Sequence, residues 1–160
     1  MQSICVFCSS SDSIDEVYFK TAIDLGCQIG DLKLDLVYGG GGIGLMGAVA
    51  RSVHKNGGRV VGVFPEFLRE KDEGFEYIEA DELIIAETMR IRKAIMDERA
   101  DAFIVLPGGI GTLEEAIEIM SMKQLGLTDK PLAFVNTNNF YDSLISNFQM
   151  MVGLKFAKSS

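Results

Sequence analysis

The chain of 160 residues has no tryptophan, one histidine, three cysteines and three prolines. Three cysteines are too few for a disulfide framework, and with a single histidine they supply no credible zinc-ligand set. Cys5 and Cys8 do form a C-x-x-C, but inside the apolar run Ile4-Cys5-Val6-Phe7-Cys8, where an odd separation sends them to opposite faces of a strand. A redox pair would instead open a helix. Basic residues are also in short supply, 15 Lys+Arg against 23 Asp+Glu, for a formal net charge of −8. That excludes the basic footprint of a nucleic-acid binder, so an anionic ligand must be met by a local positive site. No apolar run approaches the roughly 18 residues needed to span a bilayer, and Met1-Gln2-Ser3 lacks the basic start of a signal peptide. With 48% hydrophobic residues and a mean hydropathy of +0.19, disorder and low complexity are excluded as well. The expectation is a single cytoplasmic, soluble domain over residues 1–160, with neither nucleic acid nor membrane as partner. His54, near the end of a helical stretch beside Lys55, reads as a solvated charge complementing the helix C-terminus.

What the chain does have is alternation. Short apolar runs at 4–8, 34–38, 59–64, 79–85, 102–106 and 132–135 alternate with helical patterns near 14–30, 44–56, 88–100, 112–125 and 139–152. This predicts an α/β fold: three layers, Rossmann-like and doubly wound, a mostly parallel sheet with helices on both faces. Residues 65–78, charged and broken by glycine, read as the least regular segment. Ligands of such folds collect at the carboxyl ends of the strands.

Three strand-to-helix loops and one helix stand out there. Ser9-Ser10-Ser11-Asp12-Ser13 reads either as a helix cap or as part of an anion pocket. Gly39 to Gly42 are four successive glycines, and Gly42-x-Gly44-x-x-Gly47 matches the dinucleotide fingerprint, with Glu66 as the acidic partner such a site needs. Leu106-Pro107-Gly108-Gly109-Ile110-Gly111-Thr112-Leu113-Glu114-Glu115 delivers a glycine turn into a helix, whose free amides favour a phosphate. Its two carboxylates repel a phosphate but suit a sugar that needs acid–base or cation-stabilising help. Thr112-x-x-Glu115 is equally a capping box. On the helix 88–100, Met89, Arg92, Lys93 and Met96 share one stripe, while Ile91, Ala94 and Ile95 form an apolar stripe suited to packing on the sheet.

Taken together, these pieces resemble the LOG family of cytokinin riboside 5′-monophosphate phosphoribohydrolases, whose members often carry a "lysine decarboxylase-like" label. The resemblance runs from Ile4 to about Phe148. It rests on Cys5-Val6-Phe7-Cys8-x-Ser10-Ser11, on Leu36-Val37-Tyr38-Gly39-Gly40-Gly41 through Gly44-Leu45-Met46-Gly47, on Met89-x-x-Arg92-Lys93 and on Pro107-Gly108-Gly109-x-Gly111-Thr112-x-x-Glu115. It implies Arg92 and Glu115 as the catalytic pair. Around the nucleotide it implies Met89, Lys93, Gly41, Gly42, Gly108, Gly109, Ile110, Gly111, Thr112 and Glu114. The chain departs from the family pattern at Ser9, where glycine is usual, Gly42, where serine is common, Met122, often tryptophan, and Arg90, often histidine.

The implied activity is hydrolysis of the N-glycosidic bond of a cytokinin riboside 5′-monophosphate or AMP, giving free base and ribose 5-phosphate. Neither metal nor cofactor is called for, and the family implies a homodimer. A nearby carboxylate stabilises the oxocarbenium character that builds on the ribose, and a fork-shaped guanidinium suits the 5′-phosphate or the departing base. Lysine decarboxylation by pyridoxal phosphate would need a Schiff-base lysine with a pyridinium partner, and no such constellation is visible. The alternative from another class is a nucleotide or molybdenum-cofactor carrier of the same fold without hydrolase activity. An NAD-dependent oxidoreductase would rest on the glycine fingerprint alone.

Overall fold

The structure, a computed structural model, describes residues 2–71 and 74–158, with the backbone alone at Glu70. Six strands, β1 (Ser3–Phe7), β2 (Asp35–Tyr38), β3 (Val60–Pro65), β4 (Glu82–Ala86), β5 (Ala102–Val105) and β6 (Leu132–Phe134), pair in the order β4-β3-β2-β1-β5-β6. Every pairing between them is parallel. The helices are α1 (Glu16–Asp31), α2 (Gly44–Lys55), α3 (Glu66–Lys71), α4 (Met89–Arg99), α5 (Ile110–Gln124) and α6 (Asp142–Gly153), with a 3₁₀ turn over Thr137–Asn139. This is the doubly wound α/β architecture that the alternation predicts.

The central strands are apolar on both faces because both are covered. Ile4, Val6 and Cys8 join the core under α1 and α2, whereas Cys5 and Phe7 join the core under α4 and α5. The two cysteines therefore face opposite ways, both buried and both free. β1 lies between β2 and β5, with Val6 opposite Tyr38 and Phe7 opposite Val105. The loop leaving β1 turns to one face of the sheet and the loop leaving β5 to the other. A crevice opens between them at the strands' carboxyl ends.

Four local readings are corrected. Residues 66–71, expected to be irregular, form α3: Pro65 fixes its own φ ahead of the helix, and Glu66 sits in the first turn where the dipole favours a carboxylate. The last helix starts at Asp142 rather than 139, because Asn138 and Asn139 adopt left-handed backbone angles, φ 53° and 59°, that an α-helix cannot continue through. The packing face of α4 is rotated from the expected stripe, of which Ile95 alone packs against the core. Arg92, Met96 and Ala100 are the buried row against the sheet, while Ile91 is 43% exposed and Ala94 is exposed. His54 does lie in the last turn of α2, but it is not solvated: its Nδ1 meets the Tyr77 hydroxyl at 2.9 Å and its Nε2 meets Asp81 at 2.8 Å. Asp81 also accepts the Val60 amide at 2.7 Å, so the ring ties α2 to the start of β3.

α1 and α2 approach so closely that no side chain fits between them at two points. A Cβ on Gly26 would lie 2.6 Å from Ser52 Cβ and 2.7 Å from the Val49 carbonyl. Gly26→Ala should lower stability by about 1–3 kcal/mol, overpacking outweighing the ~1 kcal/mol gained in helix propensity. Gly153→Ala, at a helical glycine with open space around it, should be neutral or slightly stabilising. Chemical denaturation of both variants measures the contrast.

Candidate active site

The site is built on two glycine-rich turns that look alike in sequence and differ in their free hydrogen-bonding groups. At the start of α2, Gly44 N–H donates to Asp12 Oδ1 at 2.8 Å, and the amides of Leu45 and Met46 both donate to the Ser9 carbonyl at 3.0 and 3.3 Å. Gly44 has φ +58°, and a Cβ there would run into the backbone of Ser10. The serine loop is thus docked onto the α2 N-terminus and uses up its donors. The loop does not cap α1, whose N-cap residue, Asp15, makes no side-chain capping bond. The dinucleotide reading fails here: the amides that would hold a pyrophosphate already hold the chain's own carboxylate and carbonyl. Glu66, its expected acidic partner, lies exposed on α3.

The turn after β5 is arranged oppositely. α5 begins at Ile110, two residues earlier than its pattern suggests, with Gly109 as N-cap and no side-chain capping bond. Thr112 and Glu115 therefore lie inside the helix, and the capping-box reading is overturned. No described residue accepts from the amides of Ile110, Gly111 or Thr112. The positive end of the dipole is left open to the crevice. Gly108 has no room for a Cβ because Thr112 packs against it, and Thr112 is itself buried.

Between these turns lies a cleft of about 500 Å³. Ser9, Ser10, Ser11, Gly109, Gly111 and Thr112 line one part of it. Ile43, Met46, Phe64, Pro65, Leu68, Phe75 and Met89 line another, as an apolar wall. Arg92 and Glu115 are the charged side chains on its surface. They meet at 2.6 Å, Arg92 Nη1 to Glu115 Oε1, with side chains 5% and 8% exposed. Arg92 Nε donates to the Val63 carbonyl at 2.9 Å. The guanidinium lies against the Cα of Gly39, where a Cβ would collide with Nη2. Gly39 is thus the space that the arginine occupies. Burial pushes the Glu115 carboxyl above the usual carboxylate range, with Arg92 pulling the other way.

Of the residues singled out in the sequence, Arg92, Glu115, Met89, Gly41, Gly109, Gly111 and Thr112 meet at this cleft. Gly108 shapes the loop from beneath. Others are not brought in. Lys93, one position round the helix from Arg92, turns toward α5, where Glu114 and, at 2.7 Å, Glu118 hold it. Burial works against its charge, yet these carboxylates keep its pKa above that of a free lysine. Glu114 is accordingly engaged away from the cleft, and the Ile110 side chain is 83% exposed. Gly42 donates to the Phe75 carbonyl at 2.7 Å and accepts from Arg51 at 2.8 Å, so its backbone groups serve the loop. Met122 and Arg90, two departures from the family pattern, line a separate recess behind Glu115 with Lys93. The sequence reading missed the apolar wall of Phe64, Pro65, Leu68 and Phe75. Its signal was the carboxyl end of β3, which a doubly wound sheet always turns toward the crevice. Among the described residues, no three His, Cys, Asp or Glu side chains converge to hold a metal ion, and no helix is long and apolar enough to cross a membrane.

Fold and site together define an open α/β protein with an anion-ready helix N-terminus and a buried Arg–Glu pair at its switch point. The chain belongs to the LOG family: the family model described as "Possible lysine decarboxylase" matches residues 46–160. It is 43% identical over 157 residues to cytokinin riboside 5′-monophosphate phosphoribohydrolase LOG2 of Arabidopsis thaliana, covering 98% of this chain and 73% of that protein. To LOG5 of the same plant, another cytokinin riboside 5′-monophosphate phosphoribohydrolase, it is 43% identical over 158 residues, covering 98% and 68%. Among solved structures it resembles the molybdenum cofactor binding protein of Rippkaea orientalis (TM-score 0.72, 21% identity, 94% of this chain and 86% of that one). The molybdenum cofactor carrier protein of Chlamydomonas reinhardtii is similar in the same way (TM-score 0.73, 20% identity, again 94% and 86%). At such identities these two likenesses show the fold alone.

The raised pKa of Glu115 has a definite sign in stability. A carboxyl with a native pKa above its unfolded value of about 4.5 favours folding below that value and loses the contribution as pH rises through its native pKa. Between the two pKa values, wild-type stability should therefore fall with rising pH relative to Glu115→Gln. Paired urea titrations from pH 4 upward measure the difference. Parallel profiles would mean that Glu115 titrates as a solvated glutamate.

Proposed function

We propose that this protein is a nucleoside 5′-monophosphate phosphoribohydrolase, hydrolysing the N-glycosidic bond of cytokinin riboside 5′-monophosphates or AMP to free base and ribose 5-phosphate. The observation that carries this reading is the buried Arg92–Glu115 pair on a cleft that the uncapped N-terminus of α5 also lines. Its relatives bear the same activity in their names. In this reading the 5′-phosphate rests on the amides of Gly109, Ile110, Gly111 and Thr112, with the hydroxyls of Ser10, Ser11 and Thr112 beside it. The base lies along Phe64, Pro65, Leu68, Phe75 and Met89, an apolar surface that favours an adenine bearing an apolar N6 group over a bare one. Glu115 faces the ribose. Its carboxylate stabilises positive charge developing at the anomeric carbon and orients the attacking water. Arg92 opposes the burial that raises the Glu115 pKa and offers its remaining N–H groups to the leaving base. Lys93 and Glu114 act at a remove, as the ion-paired strut between α4 and α5.

Residues 1–160 work in this reading as one nucleotide-binding domain, in the cytoplasm, with the nucleotide as the substrate partner. We further propose a homodimer, supported by the exposed apolar side chains Met89, Ile91 and Ile110 on α4 and α5 beside the cleft. Light scattering at micromolar concentration should give about twice the 17.5 kDa chain mass. A monomer there would refute the dimer. A carrier without hydrolase activity is the second reading. The ion pair at the cleft argues against it, because a carrier gains nothing from a buried carboxylate next to an anion.

Incubation with AMP and with N6-isopentenyl-AMP, followed by chromatography, should show free base and ribose 5-phosphate from both, with the N6-substituted nucleotide cleaved at higher kcat/KM. Glu115→Gln should lower turnover by about 10²-fold or more. Glu114→Gln should change turnover little. An active Glu115→Gln enzyme would remove the carboxylate from the chemistry, and intact nucleotide with the wild type would favour the carrier.

A further inference from the structure

The phosphate cradle is a glycine turn, and glycine turns are conformationally permissive unless something fixes them. Leu106 N–H donates to the Phe7 carbonyl at 2.9 Å and extends the β1–β5 ladder by one residue. On the other side, the Tyr141 hydroxyl donates to the Leu106 carbonyl at 2.7 Å. Tyr141 is 2% exposed and stands at the N-cap of α6, 35 residues further along the chain. It is held from two directions. Its own amide donates to Asn136 Oδ1 at 2.7 Å, and its ring lies edge-on to Phe134 at 5.0 Å and to Phe140 at 4.9 Å. Burial pushes its phenol up to about 12, while contact with the Gly108 amide acts the other way. The hydroxyl thus meets the loop on both sides of Pro107, which has no N–H of its own to give.

Resting on the functional reading above, we propose that Tyr141 is a positioning residue for the 5′-phosphate: its hydroxyl, bonded to the Leu106 carbonyl, fixes the Pro107-Gly108-Gly109 turn so that the α5 amides stay aimed into the cleft. Tyr141 touches neither the cleft nor the ion pair, so its effect is confined to the part of the ligand the turn holds. Removal of the hydroxyl alone leaves a buried carbonyl without its partner and frees the turn, while the aromatic packing survives.

The test is Tyr141→Phe in the full chain, with Phe134→Leu as a control that disturbs the ring packing and spares the hydroxyl. Binding of ribose 5-phosphate and of adenosine is measured by calorimetry, alongside KM and kcat on the nucleotide. Tyr141→Phe should weaken ribose 5-phosphate about tenfold and raise KM by a similar factor, with kcat within threefold of wild type and adenosine binding unchanged. Phe134→Leu should lower the melting temperature and leave ribose 5-phosphate affinity within twofold. Unchanged ribose 5-phosphate affinity in Tyr141→Phe would overturn the proposal. So would equal losses for ribose 5-phosphate and adenosine, the sign of a general structural defect, and so would a wild type that does not bind ribose 5-phosphate. A wild type that binds ribose 5-phosphate in a Tyr141-dependent way but cleaves no nucleotide would remove the hydrolase reading and leave the positioning role standing.

Discussion

The Arg92–Glu115 pair is the interaction around which the crevice is organised. Two opposite charges, both more than nine-tenths buried, join α4 to α5 across the carboxyl ends of the strands. Such a pair adds little stability over well-packed apolar side chains, and losing either member is costly. Its surroundings accommodate it at several points. Gly39 gives up a side chain to make room, Val63 lends a carbonyl to Nε, and α4 turns Arg92 inward with Met96, leaving Ile91 in solvent. An apolar row facing the sheet would have packed more simply. The arrangement fits a function that needs a carboxyl group shielded from water beside a fixed cation.

The same logic separates the two glycine loops. Each follows a strand, each opens a helix, and each offers amides that an anion can use. The chain settles the ambiguity by filling one of them itself. Asp12 and the Ser9 carbonyl occupy the α2 N-terminus, which turns a potential phosphate site into a mount for the serine loop. Among the described residues none accepts from the first amides of α5, and the mounted serine loop lines the same cleft. One glycine turn is thus structural and the other is available to a ligand, a distinction decided by one carbonyl and one carboxylate of the serine loop, the carboxylate 32 residues from the amide it accepts.

How much of this was legible in the sequence follows from the range over which each feature is determined. The strands are apolar runs flanked by turns, and each observed strand lies within a residue or a few of its run. The opposite facing of Cys5 and Cys8 follows from the two-residue period and is seen. What escaped depends on partners distant in the chain. Nothing local says that Arg92 faces inward, because hydrophobicity assigns that place to Ile91. The decisive partner, Glu115, is 23 residues away on another helix. The capping-box pattern of Thr112 and Glu115 is locally sound, and it fails because α5 starts two residues earlier, at Ile110, which leaves Glu115 to meet that arginine. α3 was hidden because six residues are too few to display a helical period. Lys93 and Glu114 were drawn to the nucleotide by their neighbours' roles, whereas one step of 100° around each helix turns them toward each other.

For an acidic chain, binding a dianion needs an attraction that its net charge does not supply. At physiological ionic strength the screening length is about 8 Å, so most of the −8 charge is not felt inside the cleft. There, Arg92 and Glu115 nearly cancel in net charge, and Lys93 is neutralised by Glu114 and Glu118 outside. The remaining positive potential is that of the α5 dipole and its first amides, from which no described residue accepts. A backbone site of this kind resists loss by substitution of any one cation, but it depends on the shape of the turn that carries it. The restraint on that turn then matters as much as a charged side chain would elsewhere, and the turn is held between a β1 carbonyl on one side and a tyrosine hydroxyl on the other.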